Sequence, residues 1–186
     1  NILNIERTIN YTDNFNNFIN TNYPDKSPEQ IFSYIYAILF SPSYRKKYNE
    51  LLKIDFPRVP FTKDIEIFNQ LSEIGNNLIN IHLLKTIPDY QIGISAPNQD
   101  FLVNRVHYEN NSIWINASTC FTNIPENVWN YYIGGYQVLE KWLDYRKKSN
   151  YTLDLSDITH FMNVCKVIKE TINIEENIDD LTRDWI

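Results

Sequence analysis

The sequence has 186 residues, 43% of them hydrophobic and 15% aromatic, with only 4 Gly and 8 Pro. That composition excludes a disordered, collagen-like or low-complexity chain, and the length fits one domain burying roughly 70% of the surface its unfolded chain exposes. A net charge of -6 and a pI near 5.1 argue against a free-standing basic nucleic-acid binder, although one face can differ in sign from the sum.

No apolar run reaches the ~18 residues of a membrane-spanning helix, and no charged-then-apolar leader precedes a small-residue cleavage site. Cys120 and Cys165 stand far apart with no second pair, which suits reduced thiols in a cytoplasmic protein that meets no membrane. The chain opens on Asn1 without an initiator methionine, as a piece of a longer protein would.

The elements follow from periodicity and punctuation. Tyr11, Phe15, Phe18 and Ile19 fall at helical spacing behind Thr12 or Asp13 as N-cap. Ser27-Pro28-Glu29-Gln30 starts a second helix, and Ile31 to Phe40 is apolar nearly all round, so this helix is buried on most of its surface. Ser41-Pro42 ends it and begins the next, whose inner stripe is Tyr44, Tyr48, Leu51 and Leu52, with Arg45, Lys46, Asn49 and Glu50 outside. Ile54 to Phe61 is held extended by Pro57 and Pro60. A long helix is predicted from about Lys63 to Leu84. The period then changes. Residues 101–108 and 112–116 read as two strands joined at Asn110-Asn111. Pro125 to Trp129 gives a helical turn, Gly134-Gly135 breaks the chain before a helix from about Tyr136 to Lys147, and a last helix starts at Ser156 and carries its apolar stripe to Ile172. The fold class is α+β: a mostly helical single domain, 1–186, with a small central antiparallel sheet or hairpin.

Much chemistry is missing. Gly134-Gly135 is followed by no Lys-Ser/Thr and no third glycine, so there is no phosphate loop. No Cys-x-x-Cys or His-x-x-x-His offers a zinc site, and no Gly-x-Ser-x-Gly elbow offers a serine nucleophile. His82, His107 and His160 are far apart in sequence, and Cys120 reads as an inert thiol in a loop.

Two stretches carry more than packing requires: Tyr34 to Tyr48 running into Leu52-Lys-Ile-Asp-Phe-Pro-Arg-Val-Pro-Phe61, and Tyr132-Ile-Gly-Gly-Tyr-Gln-Val-Leu-Glu-Lys-Trp-Leu143. Together, and in this order, they resemble the C-terminal specificity domain of Type ISP restriction-modification enzymes, over about residues 13–178, with 1–12 and 179–186 as flanking segments. The resemblance implies a DNA target-recognition domain that reads a short duplex sequence for an adenine-specific DNA methyltransferase outside this chain. It implies double-stranded DNA and the methyltransferase and helicase-like domains of the same parent as partners. The chain itself lacks the family's Asn-Pro-Pro-Tyr type catalytic motif and its S-adenosylmethionine-binding and helicase motifs, so no cofactor is expected in this chain and the resemblance implies S-adenosylmethionine, ATP and Mg only for the parent.

Under that reading Arg45, Lys46, Lys47, Lys53 and Arg58 are the candidate phosphate contacts, which position a protein on DNA without choosing a sequence. Asn98, Gln99 and Asn104 suit adenine and Arg105 suits guanine in the major groove. Each group also has a plainer reading. Arg45 to Lys47 fits a solvated helix face, Arg58 fits an internal salt bridge, and Arg146 to Lys148 fits the negative end of a helix dipole. Two rival functions stand beside recognition: an acidic interaction module packing on the parent's other domains, and a small hydrolase using His107 or His160 with an aspartate.

Overall fold

The structure is a computed structural model and describes residues 8–186; what the sequence suggests for 1–7 lies outside the described residues. The chain packs as two compact units, one made of residues up to Ile79 together with Glu175–Ile186, the other of Asn80–Ile174. The fold class is α+β, as the periodicities require.

In the first unit, α1 (Asp13–Asn22) is capped by Thr12, whose hydroxyl accepts from Phe15 N–H. Then α2 (Pro28–Phe40) begins with a reciprocal capping box: Ser27 accepts from Gln30 N–H, and the Gln30 side chain accepts from Ser27 N–H. Ser41 ends α2 and caps α3 (Pro42–Lys47), accepting from Tyr44 N–H. The single helix expected over 42–52 is two pieces, because Tyr48 leaves helical geometry before α4 (Asn49–Leu52). One consequence is that Leu51, expected in the inner stripe, is 58% exposed.

The extended segment after α4 is gripped from below. Tyr44 donates its hydroxyl to the carbonyl of Arg58, Tyr34 to that of Pro60, and Tyr23 to that of Thr62. Alternate carbonyls point the same way along an extended chain, so a row of buried tyrosines satisfies them in turn. Helix α5 (Ile65–His82) then starts on Asp64, whose carboxylate accepts from the N–H groups of Glu66 and Ile67. The predicted end at Leu84 is shortened, since Leu84 adopts a left-handed turn at φ 54°. Gly75 of α5 is required by packing: a Cβ there would lie 1.8 Å from the Ser33 carbonyl oxygen of α2.

The second unit holds a four-stranded antiparallel sheet of β1 (Gly93–Ser95), β2 (His107–Glu109), β3 (Ser112–Trp114) and β4 (Cys120–Thr122), in the order β1-β4-β3-β2. The β2–β3 turn is Asn110-Asn111, both with positive φ (49° and 56°), as a two-residue hairpin of this twist demands. Short helix α6 (Glu126–Trp129) leads into β5 (Tyr132–Ile133) and β6 (Tyr136–Gln137), a hairpin where the sequence suggested a bare break. Helix α7 (Val138–Lys148) therefore begins two residues later than expected. The last helix, α8 (Leu155–Thr182), starts earlier and runs further than its apolar stripe suggested, because Asp154 is the cap and accepts from Asp157 N–H at 2.8 Å. The core of this unit joins Ile113, Phe121, Leu139, Leu143 and Phe161.

Candidate nucleic-acid interface

The four candidate base-reading residues lie on one strap. In register, Ser95 faces Cys120, Cys120 faces Trp114, and Trp114 faces His107, so these residues form one row at one end of the sheet. Strands β1 and β2 are the two edges, and the 96–106 connection between them crosses that end, a span of roughly 14 Å at ordinary strand spacing. Asn98, Gln99, Asn104 and Arg105 are all exposed on it.

The strap is fixed by main-chain bonds from beneath. Gln99 N–H closes a turn on Ala96 O, with Gln99 at φ 50°. Asn116, 2% exposed, donates to the carbonyls of Asp100 (2.9 Å) and Leu102 (3.0 Å) and accepts from the N–H groups of Ser118 and Thr119. The Thr119 hydroxyl also donates to Asp100 O at 2.6 Å. Leu102 bridges to Thr152 on its other flank.

Residues 101–108 do not form the continuous strand expected of them. The N–H groups of Asn104 and Arg105 both donate to Ile115 O, so two residues oppose one, as in a bulge. A bulge re-aims side chains, and here it leaves Asn104 and Arg105 exposed next to each other. The sequence pointed to these residues individually; Asn116, which organises them, fell at the end of the strand expected over 112–116, and nothing local marked it.

The candidate phosphate contacts all belong to the first unit, and their surroundings differ. Arg45 is ion-paired with Glu175, donates to Phe40 O and lies over the Phe40 ring. Lys47 donates to the Ile186 carbonyl and sits 5.5 Å from the Tyr48 ring centroid. Lys46 is exposed, with no ion pair or hydrogen bond among the described residues. Lys53 pairs with Glu50 at 2.7 Å, and Arg58, 92% exposed in its side chain, approaches Asp55 at only 3.8 Å. The outward face expected for Arg45 is thus half-buried and occupied, whereas Arg58 is turned to solvent and its internal bridge, to Asp55, is long and exposed.

Other candidates have structural roles. Arg146 pairs with Asp157 at 3.2 Å and stacks on Trp142 at 3.1 Å. Cys120 is not in a loop: it lies buried in β4, where burial pushes its thiol up. Burial likewise raises the Cys165 thiol. His82 bonds Thr171, His160 stacks on Trp142, and His107 approaches Glu109 at 3.9 Å, beyond hydrogen-bond reach. No group of three or more His, Cys, Asp or Glu among the described residues could hold a metal ion. No helix of the described residues is long and apolar enough to cross a membrane.

Comparison with known families returns one decisive match: the model of the Type ISP C-terminal specificity domain covers residues 2–177. The chain belongs to this family. No curated protein matches its sequence. Among solved structures, the specificity domain resembles a nuclease-deletion mutant of the Type ISP restriction-modification enzyme LlaGI in complex with a DNA substrate mimic, at 28% identity and a TM-score of 0.64 over 82% of this chain and 16% of that one. It also resembles the ATP-dependent Type ISP enzyme LlaBIII bound to DNA, at 25% identity and a TM-score of 0.64 over 89% of this chain and 12% of that one. A DrdV–DNA complex shares the fold, at 24% identity and a TM-score of 0.69 over 92% of this chain and 20% of that one. The specificity domain therefore spans a fifth or less of the length of the enzymes it matches.

Proposed function

We propose that this chain reads a short duplex DNA sequence for an adenine methyltransferase domain of the same parent, in the cytoplasm. The observation that carries the reading is the strap: four polar side chains suited to adenine and guanine edges, on one rigid crossing about as wide as the ~12 Å major groove. Family membership and the DNA-bound state of the similar enzymes support it. In this account Arg105 pairs with a guanine, and Asn98, Gln99 and Asn104 pair with adenines or bridge through water. Lys46, Lys53 and Arg58 contact phosphates, while Arg45 and Lys47 serve the fold. Methyl transfer, with S-adenosylmethionine, ATP and Mg, belongs to the other domains of the parent, and base flipping brings the target adenine there.

A second reading, an acidic module packing on the parent's other domains, draws on the net charge of -6 and on the internal partners of Arg45 and Lys47. Selection from a random duplex pool separates the two. Recognition predicts that the chain enriches a defined motif; the acidic module predicts a pool left unchanged.

A further inference from the structure

Phe56 is 89% exposed, the most exposed large hydrophobic side chain among the described residues, and Ile54 beside it is 80% exposed. Its backbone is not loose. Asp55 accepts from Phe56 N–H at 2.7 Å, Pro57 restricts Phe56 before it, and the tyrosine row fixes the carbonyls of Arg58, Pro60 and Thr62. The fold thus holds an aromatic ring out into solvent on a firm base, against the ordinary gain from burying it.

The neighbours of the ring decide what it fits. A protein-binding anchor is ordinarily ringed by other apolar groups, with charge depleted at the centre. Phe56 shares its exposed patch with apolar Leu51 and Ile54, but the patch is not depleted of charge: Lys53 and Arg58 stand on either side of it in sequence, paired with Glu50 of α4 and with Asp55. Such exposed pairs are weak, so phosphate can replace the carboxylates at little cost. A projecting apolar ring with a cation on each side in sequence matches the wedges that enter a base step while neighbouring side chains hold the backbone.

We propose that Phe56 is a wedge residue that inserts at a base step of the bound duplex, with Lys53 and Arg58 on the flanking phosphates. The proposal rests on the DNA-recognition reading and adds a deformation to it: unstacking one step eases extrusion of a nearby base.

The test uses the 186-residue chain and its selected duplex carrying 2-aminopurine at successive positions. Insertion raises the fluorescence severalfold at one step on binding. Phe56→Ala abolishes that rise and weakens binding roughly tenfold, Phe56→Trp restores both, and thermal unfolding of the Ala variant matches the parent. An unchanged signal in Phe56→Ala, or tight binding by the parent chain with no fluorescence rise at any position, overturns the wedge while leaving recognition intact. Failure to bind any duplex overturns both. Normal DNA binding by Phe56→Ala with loss of association to the methyltransferase domain assigns the ring to a protein interface and also overturns the wedge.

Discussion

Asn116 donates its side-chain amide to the carbonyl of Leu102 at 3.0 Å, and that bond, with its twin to Asp100, ties the strap to the β3–β4 connection. A buried amide that uses both donors and its oxygen leaves no alternative partner for the strap. Asn116→Ala strands the Leu102 carbonyl and costs about 1–3 kcal/mol, read as a lowered urea midpoint. Asn116→Asp costs more, because a carboxylate oxygen then faces two carbonyls. Base discrimination weakens in both, while the salt dependence of DNA binding, set by phosphate contacts, stays as it was.

The glycines separate packing from turn chemistry. Gly75→Ala forces a Cβ against the Ser33 backbone, which no rotamer relieves, and destabilises by at least about 3 kcal/mol. Gly134 carries φ 59° as the first turn residue of the β5–β6 hairpin, so Gly134→Ala costs about 1 kcal/mol. Gly135 has open space around it and no positive φ, and Gly135→Ala stays within about 0.5 kcal/mol. Thermal or urea unfolding of the three variants gives the order.

The basic run on α3 divides by partner. Arg45→Ala removes the guanidinium from Glu175, which is 11% exposed in its side chain, and lowers stability by about 1 kcal/mol without altering the salt slope of duplex binding. Lys46→Ala and Arg58→Ala leave stability unchanged and each reduce the magnitude of that slope by about 0.9. Titration over about 50–200 mM salt, a factor of two either side of the roughly 0.1 M at which the Debye length is about 10 Å, reads it.

Burial holds the His82 imidazole below its ordinary value. The unfolded chain therefore takes up a proton more readily than the folded one. Its contribution to stability is complete above about pH 6.5 and is lost as the pH falls from there through the lowered folded value. Unfolding midpoints measured from pH 8 to 5 decline across that window, and His82→Gln flattens the decline.

Local punctuation made most helix starts legible. Thr12, Ser27 with Gln30, and Ser41-Pro42 cap as their chemistry requires, and Asn110-Asn111 turns where a positive-φ pair is tolerated. Strands β1 and β4 are as short as β2 and β3 but escaped because no tight turn like Asn110-Asn111 marks them, and Cys120-Phe121 is buried on both faces of a central strand. The bulge at Asn104-Arg105 depends on a partner beyond the hairpin turn, the Ile115 carbonyl. The pairing of Arg45 depends on a more distant one, since Glu175 lies 130 residues away. The candidate readout residues were visible in one short stretch of sequence; that this stretch crosses the end of the sheet follows from strand order, which no local pattern encodes.

The most direct measurement is parallel duplex selection with the parent chain and with Arg105→Ala. The account predicts one enriched motif for the parent, and the same motif for the variant with discrimination relaxed at a single guanine, by about 1–3 kcal/mol. Identical motifs from the two proteins, or no motif from either, would contradict it.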